Sequence, residues 1–341
     1  MIPQGATRAS HLENIAEDLA LALQVESVLI RPLPQEGCVG IFVPHPPSEI
    51  KTVMWRDLLA TSPASQRMIL PICLGVDWLG TPVFDDLAAL PHLLVAGSTG
   101  GGKSVFMRSI IATIVYNGNN KIVLSDTKGV EFTEFIGNPT LWVETGGEIA
   151  TTPMRTVEQM DLLCKETDLR LDLFGRSACR NIIEYNQRCS VPARLPFIIL
   201  VIDELADIVF LPGEKGRAAK IGADKLDYLT RKARAAGIHV IAGTQRPSVD
   251  TVKGVIKANF TARIAFKTAS AIDSKVILDE TGAENLLKKG DMLYRSPNLP
   301  GLQRLHSGYA STEDIHGALE FARFSHTISL LDEGDSNGVK Q

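Results

Sequence analysis

Aromatic side chains make up only 6% of the 341 residues, and nowhere does the sequence carry the roughly 18 consecutive apolar residues that a membrane-spanning helix needs. The longest apolar strings, such as Phe197–Ile202, fall far short of that length. No secretory leader opens the sequence. Cys38, Cys73, Cys164, Cys179 and Cys189 are odd in number and form no C-x-x-C pair, which argues against both a disulfide framework and a zinc ribbon. Neither an internal repeat nor a low-complexity tract is present, so a solenoid and a disordered linker protein are excluded as well. These absences lead us to expect a chain with no membrane segment that works in the reducing cytoplasm.

The remaining composition is that of a globular protein, with 45% hydrophobic and 22% charged residues, long enough for one large or two smaller domains. Ser10-His11-Leu12-Glu13 has capping-box spacing ahead of Ile15, Leu19, Ala22 and Leu23, which predicts an opening amphipathic helix. Short extended segments near Val25–Ile30 and Val39–Val43 flank the turn-rich stretch Pro32–Gly37. A weakly patterned stretch follows, broken by Pro46-Pro47 and Ser62-Pro63, with one short helix near Val53–Leu59. We place a boundary near residue 70. The division is then a small α+β domain over 1–70, a main domain over 71–325 and a polar tail over 326–341.

In the main domain strand and helix alternate, which predicts an α/β fold around a mostly parallel sheet flanked by helices. Strands are expected at His92–Ala96, Lys121–Ser125, Phe197–Ile202, Ile238–Gly243 and Ala262–Lys267. Helices are expected at Ser104–Tyr116, Thr156–Phe174 and Arg217–Ala236, the last stopping at Gly237. In such a sheet, ligands gather beyond the carboxyl ends of the strands.

Gly97-Ser98-Thr99-Gly100-Gly101-Gly102-Lys103-Ser104, followed by Val105, stands at the first of those strand ends and has the spacing of a phosphate-binding P-loop. Its glycines let consecutive backbone N–H groups curl around phosphates, at which the next helix points its positive end. Lys103 then reaches the β- and γ-phosphates of ATP, and Ser104 holds Mg²⁺. The apolar strand Phe197–Ile202 ends in Asp203-Glu204, a Walker B arrangement, with Asp203 as the second metal position and Glu204 as the group that orients the attacking water. Gln245, after the strand Ile238–Gly243, is placed to sense the γ-phosphate. Asp126-Thr127-Lys128 ends a further strand and either faces the nucleotide, faces a neighbouring subunit or is a simple turn. Arg231, Lys232 and Arg234 cluster ahead of Gly237, where a cation reaches a neighbour's transferred phosphoryl group, contacts DNA or meets solvent.

Formal charge is −4 overall, yet residues 214–267 hold twelve Lys or Arg against four Asp or Glu. Such a block is either a solvated face or a track for nucleic-acid phosphates. Its aromatics, Tyr228, Phe260 and Phe266, are too few to stack on unpaired bases, so duplex is the favoured nucleic acid.

Lys232-Ala233-Arg234-Ala235-Ala236-Gly237-Ile238-His239, Thr244-Gln245-Arg246-Pro247-Ser248-Val249-Asp250 and Gly290-Asp291-Met292-Leu293-Tyr294 resemble, in order, the motor of the FtsK/SpoIIIE family. The P-loop with its preceding Pro91–Ala96 and the opening helix His11–Leu23 fit the same resemblance, which spans about residues 8 to 320. It implies a RecA-like P-loop NTPase preceded by a smaller ring-forming domain. As a machine, it implies a homo-hexamer that pumps double-stranded DNA by ATP hydrolysis with little base preference. An FtsK/SpoIIIE-like ATPase that powers protein secretion or conjugative transfer is the alternative, and a nucleotide-binding scaffold without turnover a third reading. By position in the motif, Arg234 resembles the family's trans-acting arginine. Ala271 and Lys275 depart from a Lys and an Arg of the family pattern, with Lys275 as a substitute; the segment Leu211–Asp224 resembles an insertion. Family members often add membrane spans and a winged-helix module, for which 341 residues leave no room, so an excised motor or a short stand-alone homologue is expected.

Overall fold

The computed structural model describes residues 15–25, 27–33, 37–46, 48–49, 51–61, 68–118, 120–209, 217–247, 254–299 and 301–323. The capping box at Ser10, part of the run Thr244–Asn259, the first six residues of the segment Leu211–Asp224 and the polar tail lie outside them.

A small unit comes first: helix α1 (Ala16–Ala22) beside the antiparallel pair β1 (Leu29–Leu33) and β2 (Cys38–Phe42). Ala20, Val28, Ile30 and Val39 form its core, which is too small to be a strong source of stability. Among the described residues, its contacts with the main body include polar and aromatic ones. The Ser27 hydroxyl donates to the Asn285 carbonyl at 3.1 Å. Phe42 meets Trp78 edge-on and lies beneath the Arg304 guanidinium.

Nine strands build the large sheet, in the order β4-β3-β11-β10-β9-β5-β8-β7-β6. Its parallel part joins β9 (Ala262–Phe266), β5 (Leu93–Ala96), β8 (Ile238–Thr244), β7 (Ile198–Ile202) and β6 (Lys121–Ser125). These are the five strands expected from the sequence. Buried on both faces, β5 and β7 are apolar at every position, which makes a short run legible as a central strand. Alternate side chains feed opposite layers. Leu93 and Val95 face the core under α3 (Lys103–Tyr116), whereas Leu94 and Ala96 face the core under α4 (Pro153–Arg176) and α7 (Arg217–Lys232).

Four further strands, β3 (Pro71–Val76), β4 (Pro82–Asp86), β10 (Asp291–Arg295) and β11 (Leu302–His306), extend the sheet in antiparallel fashion. No strand was expected at these positions. The α4 helix begins three residues before the expected start, because Pro153 follows Thr152, whose hydroxyl accepts the Arg155 N–H at 3.2 Å. Helix α2 (Trp55–Ala60), which the sequence division assigned to the small unit, packs on the large sheet instead. Trp55 is buried in the large core and donates its indole N–H to the Thr113 hydroxyl at 2.8 Å. A last helix over 312–323 covers the same layer. Among the described residues, no helix is long and apolar enough to cross a membrane.

Candidate nucleotide-binding site

The P-loop leaves β5 between the ends of β8 and β9 and is tied to both. Gly97 N–H donates to the Thr244 carbonyl at 3.2 Å, and Ser98 N–H to the Lys267 carbonyl at 2.9 Å. A third tie comes from the antiparallel extension, where Gly290 N–H donates to the Gly101 carbonyl at 3.0 Å. Gly102 precedes α3 with φ at 118°, a left-handed conformation that disfavours any side chain. No side chain caps α3, so its first backbone N–H groups stay available to a ligand beside Lys103 and Ser104.

Lys103 is buried and spans the gap to the end of β7. Its ammonium donates to Asp203 Oδ1 at 2.5 Å and to the Asp203 carbonyl at 2.7 Å. Glu204, the next residue, accepts from the Thr244 hydroxyl at 2.7 Å on Oε1 and from Gln245 N–H at 2.9 Å on Oε2. Ala206 N–H adds a longer bond to Oε1 at 3.3 Å. These donors fix the carboxylate and still leave a lone pair on Oε2, because a carboxylate offers about four acceptor positions. Gln245 turns its side-chain oxygen to the Thr99 hydroxyl at 3.2 Å. Thus P-loop, Gln245 and Glu204 form one hydrogen-bonded chain.

The donor set fits a nucleotide triphosphate with a divalent ion. Asp203 Oδ2 is buried and takes no hydrogen bond, so it awaits positive charge. Among the described residues no group of three or more His, Cys, Asp and Glu side chains gathers to cage a metal ion. Only Ser104 and Asp203 are offered, which suits Mg²⁺, an ion that keeps several waters and completes its shell with phosphate oxygens.

Lys103, Ser104, Asp203, Glu204, Gln245 and the loop Gly97–Gly102 therefore meet at the carboxyl ends of the parallel strands, with Val105 in the first turn of α3. Arg234 does not join them. It precedes β8 at the opposite end of the sheet, about 20 Å away by strand rise, and donates to the Ala89 carbonyl at 2.9 Å. Two contacts carry no motif of their own: that of Thr244 with Glu204, and that of the P-loop residue Thr99 with Gln245. Both residues lie in runs singled out from the sequence, but nothing in those runs signals these partners.

At the third strand end, Asp126 is a loop-builder. Its carboxylate accepts the N–H groups of Lys128, Gly129, Glu131 and Phe132 at 3.2, 2.9, 2.6 and 3.2 Å. The Thr127 hydroxyl donates to Asp207 at 2.6 Å. Lys128 Nζ stands 3.8 Å from Asp203 Oδ2, so this loop faces the site.

Much of the basic block over 214–267 is answered within the fold. Lys225 pairs with Asp161, Arg231 with Asp227, and Lys257 and Arg263 both with Asp279. A linear charge count overstates the free cations, because their partners come from distant or helically adjacent positions. Phe260 and Phe266 are fully buried, and Tyr228 lies under Lys232 and bonds to Asp168, so none of the three presents a free ring for base stacking.

Residues 56–249 match the FtsK/SpoIIIE family, and residues 1–45 match the FtsK alpha domain. Proteins named DNA translocase FtsK are among the relatives. That of Halalkalibacterium halodurans is 38% identical over 332 residues, covering 94% of this chain and 41% of its own length. The Campylobacter jejuni protein of that name is 37% identical over 333 residues, covering 96% of this chain and 34% of its own length. The chain thus spans about two-fifths of the length of such relatives or less. Among solved structures, the monomer form of the pCW3 conjugation coupling protein TcpA with ATPγS has a TM-score of 0.70 at 24% identity, covering 94% of this chain and 91% of that one. The cytoplasmic domain of the Thermomonospora curvata Type VII secretion ATPase EccC has a TM-score of 0.63 at 21% identity, covering 76% of this chain and 32% of that one. Both likenesses establish the RecA-like P-loop fold.

Proposed function

The chain belongs to the FtsK/SpoIIIE family, and from that premise we propose that it is an ATP-hydrolysing motor that drives double-stranded DNA through a homo-hexameric ring in the cytoplasm. The observation that carries this reading is the convergence of Lys103, Asp203, Glu204 and Gln245 on one P-loop. Relatives over 94% to 96% of the chain named DNA translocase support duplex DNA as the cargo.

In this reading the backbone N–H groups of Gly100–Ser104 cradle the phosphates, and Lys103 transfers from Asp203 to the β- and γ-oxygens. Ser104 and Asp203 would hold Mg²⁺, whose charge offsets that of the phosphates. Glu204, held by Thr244 and Gln245 N–H, uses its remaining lone pair to orient the attacking water. Gln245 registers loss of the γ-phosphate through the Thr99 contact and passes it to Glu204 through its own backbone N–H. Arg234, remote from its own site, serves the site of the adjacent subunit, and the small amino-terminal unit forms a second tier of the ring.

Turnover of ATP by the purified chain, measured with duplex DNA, with single strands and without nucleic acid, tests the reading. Duplex stimulates turnover, more at low than at moderate salt because phosphate contacts release counterions. Absence of duplex stimulation at both salt levels overturns the assignment.

A further inference from the structure

Asp203 is fully buried, and its two oxygens are treated unequally. Oδ1 takes the Lys103 ammonium, while Oδ2 has no hydrogen bond and no access to water. The Lys128 ammonium faces Oδ2 from 3.8 Å, beyond hydrogen-bond range, on a side chain that is 40% exposed. We propose that Lys128 is a positioning residue for the nucleotide site: it takes over the Asp203 carboxylate when Lys103 moves to the phosphates. This rests on the reading of the site as a nucleotide site.

The physical need follows from burial. When Lys103 leaves, Asp203 loses the only hydrogen bond that its side-chain oxygens take from the described residues, and an uncompensated buried carboxylate is among the costliest features a fold can contain. Lys128 needs to advance by only about 1 Å to make a normal hydrogen bond, a change within the reach of side-chain rotation. The backbone beneath it is well held, by the four N–H groups on Asp126 and by the Thr127 bond to Asp207 in helix α6 (Leu205–Val209), which follows Glu204. A rigid base and a free stem suit a group that changes position without disturbing the strand ends.

Divalent metal does the same electrostatic work at Asp203, so the contribution of Lys128 is largest when metal is absent. Binding of N-methylanthraniloyl-ADP to the full chain, by fluorescence in EDTA and in Mg²⁺, separates the cases. The Lys128→Met variant binds about tenfold more weakly than the unaltered chain in EDTA, and the deficit shrinks to about threefold or less in Mg²⁺. Lys128→Arg restores binding in EDTA, because a guanidinium keeps the charge and reaches the same carboxylate. Without ligand, Lys128→Met melts within about 2 °C of the unaltered chain, since Lys103 still holds Asp203. Equal affinity in EDTA overturns the proposal, and so does an equal loss in both media, which indicates a direct phosphate contact instead. Failure of the unaltered chain to bind in either medium overturns the nucleotide reading itself.

Discussion

At residue 243 a side chain has nowhere to go. A Cβ there would stand 2.5 Å from the Asp203 carbonyl oxygen, 2.8 Å from Met107 Sδ and 3.0 Å from Lys103 Nζ. The glycine thus keeps open the channel through which Lys103 crosses from α3 to Asp203, and it does so at the end of a strand where an apolar residue would be ordinary. Gly243→Ala therefore pushes on the ammonium and on the backbone of the carboxylate strand together. We expect a loss of about 1–3 kcal/mol in stability, read from the denaturant midpoint, together with weaker nucleotide binding. An unchanged midpoint would show that the strand end yields. The P-loop and the paired carboxylates were legible in the sequence because backbone-mediated phosphate binding and metal positioning demand particular residue types at fixed spacing. The crowding at Gly243 and the contacts of Thr244 with Glu204 and of Thr99 with Gln245 were not, since they exist only where three strand ends come together.

At the level of elements, helix α2 shows how local pattern and tertiary packing part company. Its six residues lie amid proline-broken sequence and read as an appendage of the small unit. Trp55 decides otherwise: its ring fills the layer beneath α3, meets Tyr116 edge-on and bonds to Thr113, while Trp55 N–H donates to the Tyr309 carbonyl at 2.9 Å. Trp55→Ala removes the ring and leaves the Thr113 hydroxyl without that donor, which should cost about 3–5 kcal/mol in thermal or chemical unfolding. A loss below about 1 kcal/mol would mean that the helix is only loosely attached. The antiparallel strands were illegible for a related reason. β11 (Leu302–His306) reads Leu-Gln-Arg-Leu-His, a weak strand signal, and its place in the sheet comes from pairing with β10 and, through His306 opposite Val76, with a segment more than two hundred residues away.

For the molecule as a whole, two buried histidines set a response to acid. Val240 N–H donates to His92 Nδ1 at 3.0 Å, which leaves His92 Nε2–H to donate to the Thr230 carbonyl at 3.1 Å. His239 donates from Nδ1 to the Pro91 carbonyl at 3.0 Å. Burial, reinforced by the proximity of His239, pushes His92 from 6.5 down to about 3, and burial pushes His239 down to about 4. Between those values and 6.5 the unfolded chain takes up protons that the folded chain refuses, so stability falls as pH falls. At pH 5 each histidine withdraws about 2 kcal/mol relative to neutral pH, visible as a lower unfolding midpoint. Replacing both with glutamine flattens that slope, and equal midpoints at pH 5 and 7 in the unaltered chain would refute it. The proposed ring carries a second prediction at this scale. Lys103→Ala and Arg234→Ala each abolish turnover alone, but mixing them creates junctions with an intact P-loop on one subunit and an intact arginine on the next. About a quarter of junctions have that composition on random mixing, so ATPase activity partly returns. No recovery after mixing would place Arg234 outside the neighbouring site.

Strand–helix alternation, the phosphate loop and the carboxylate pair follow from residue type and spacing alone, because each is a short-range demand of backbone geometry or of charge. Which cation faces Asp203, which hydroxyls steady Glu204 and Gln245, where α2 packs and how far the sheet continues past its parallel strands were settled by the folded chain. Those features depend on groups remote in sequence coming within a few ångströms of one another, and no local pattern encodes such a meeting.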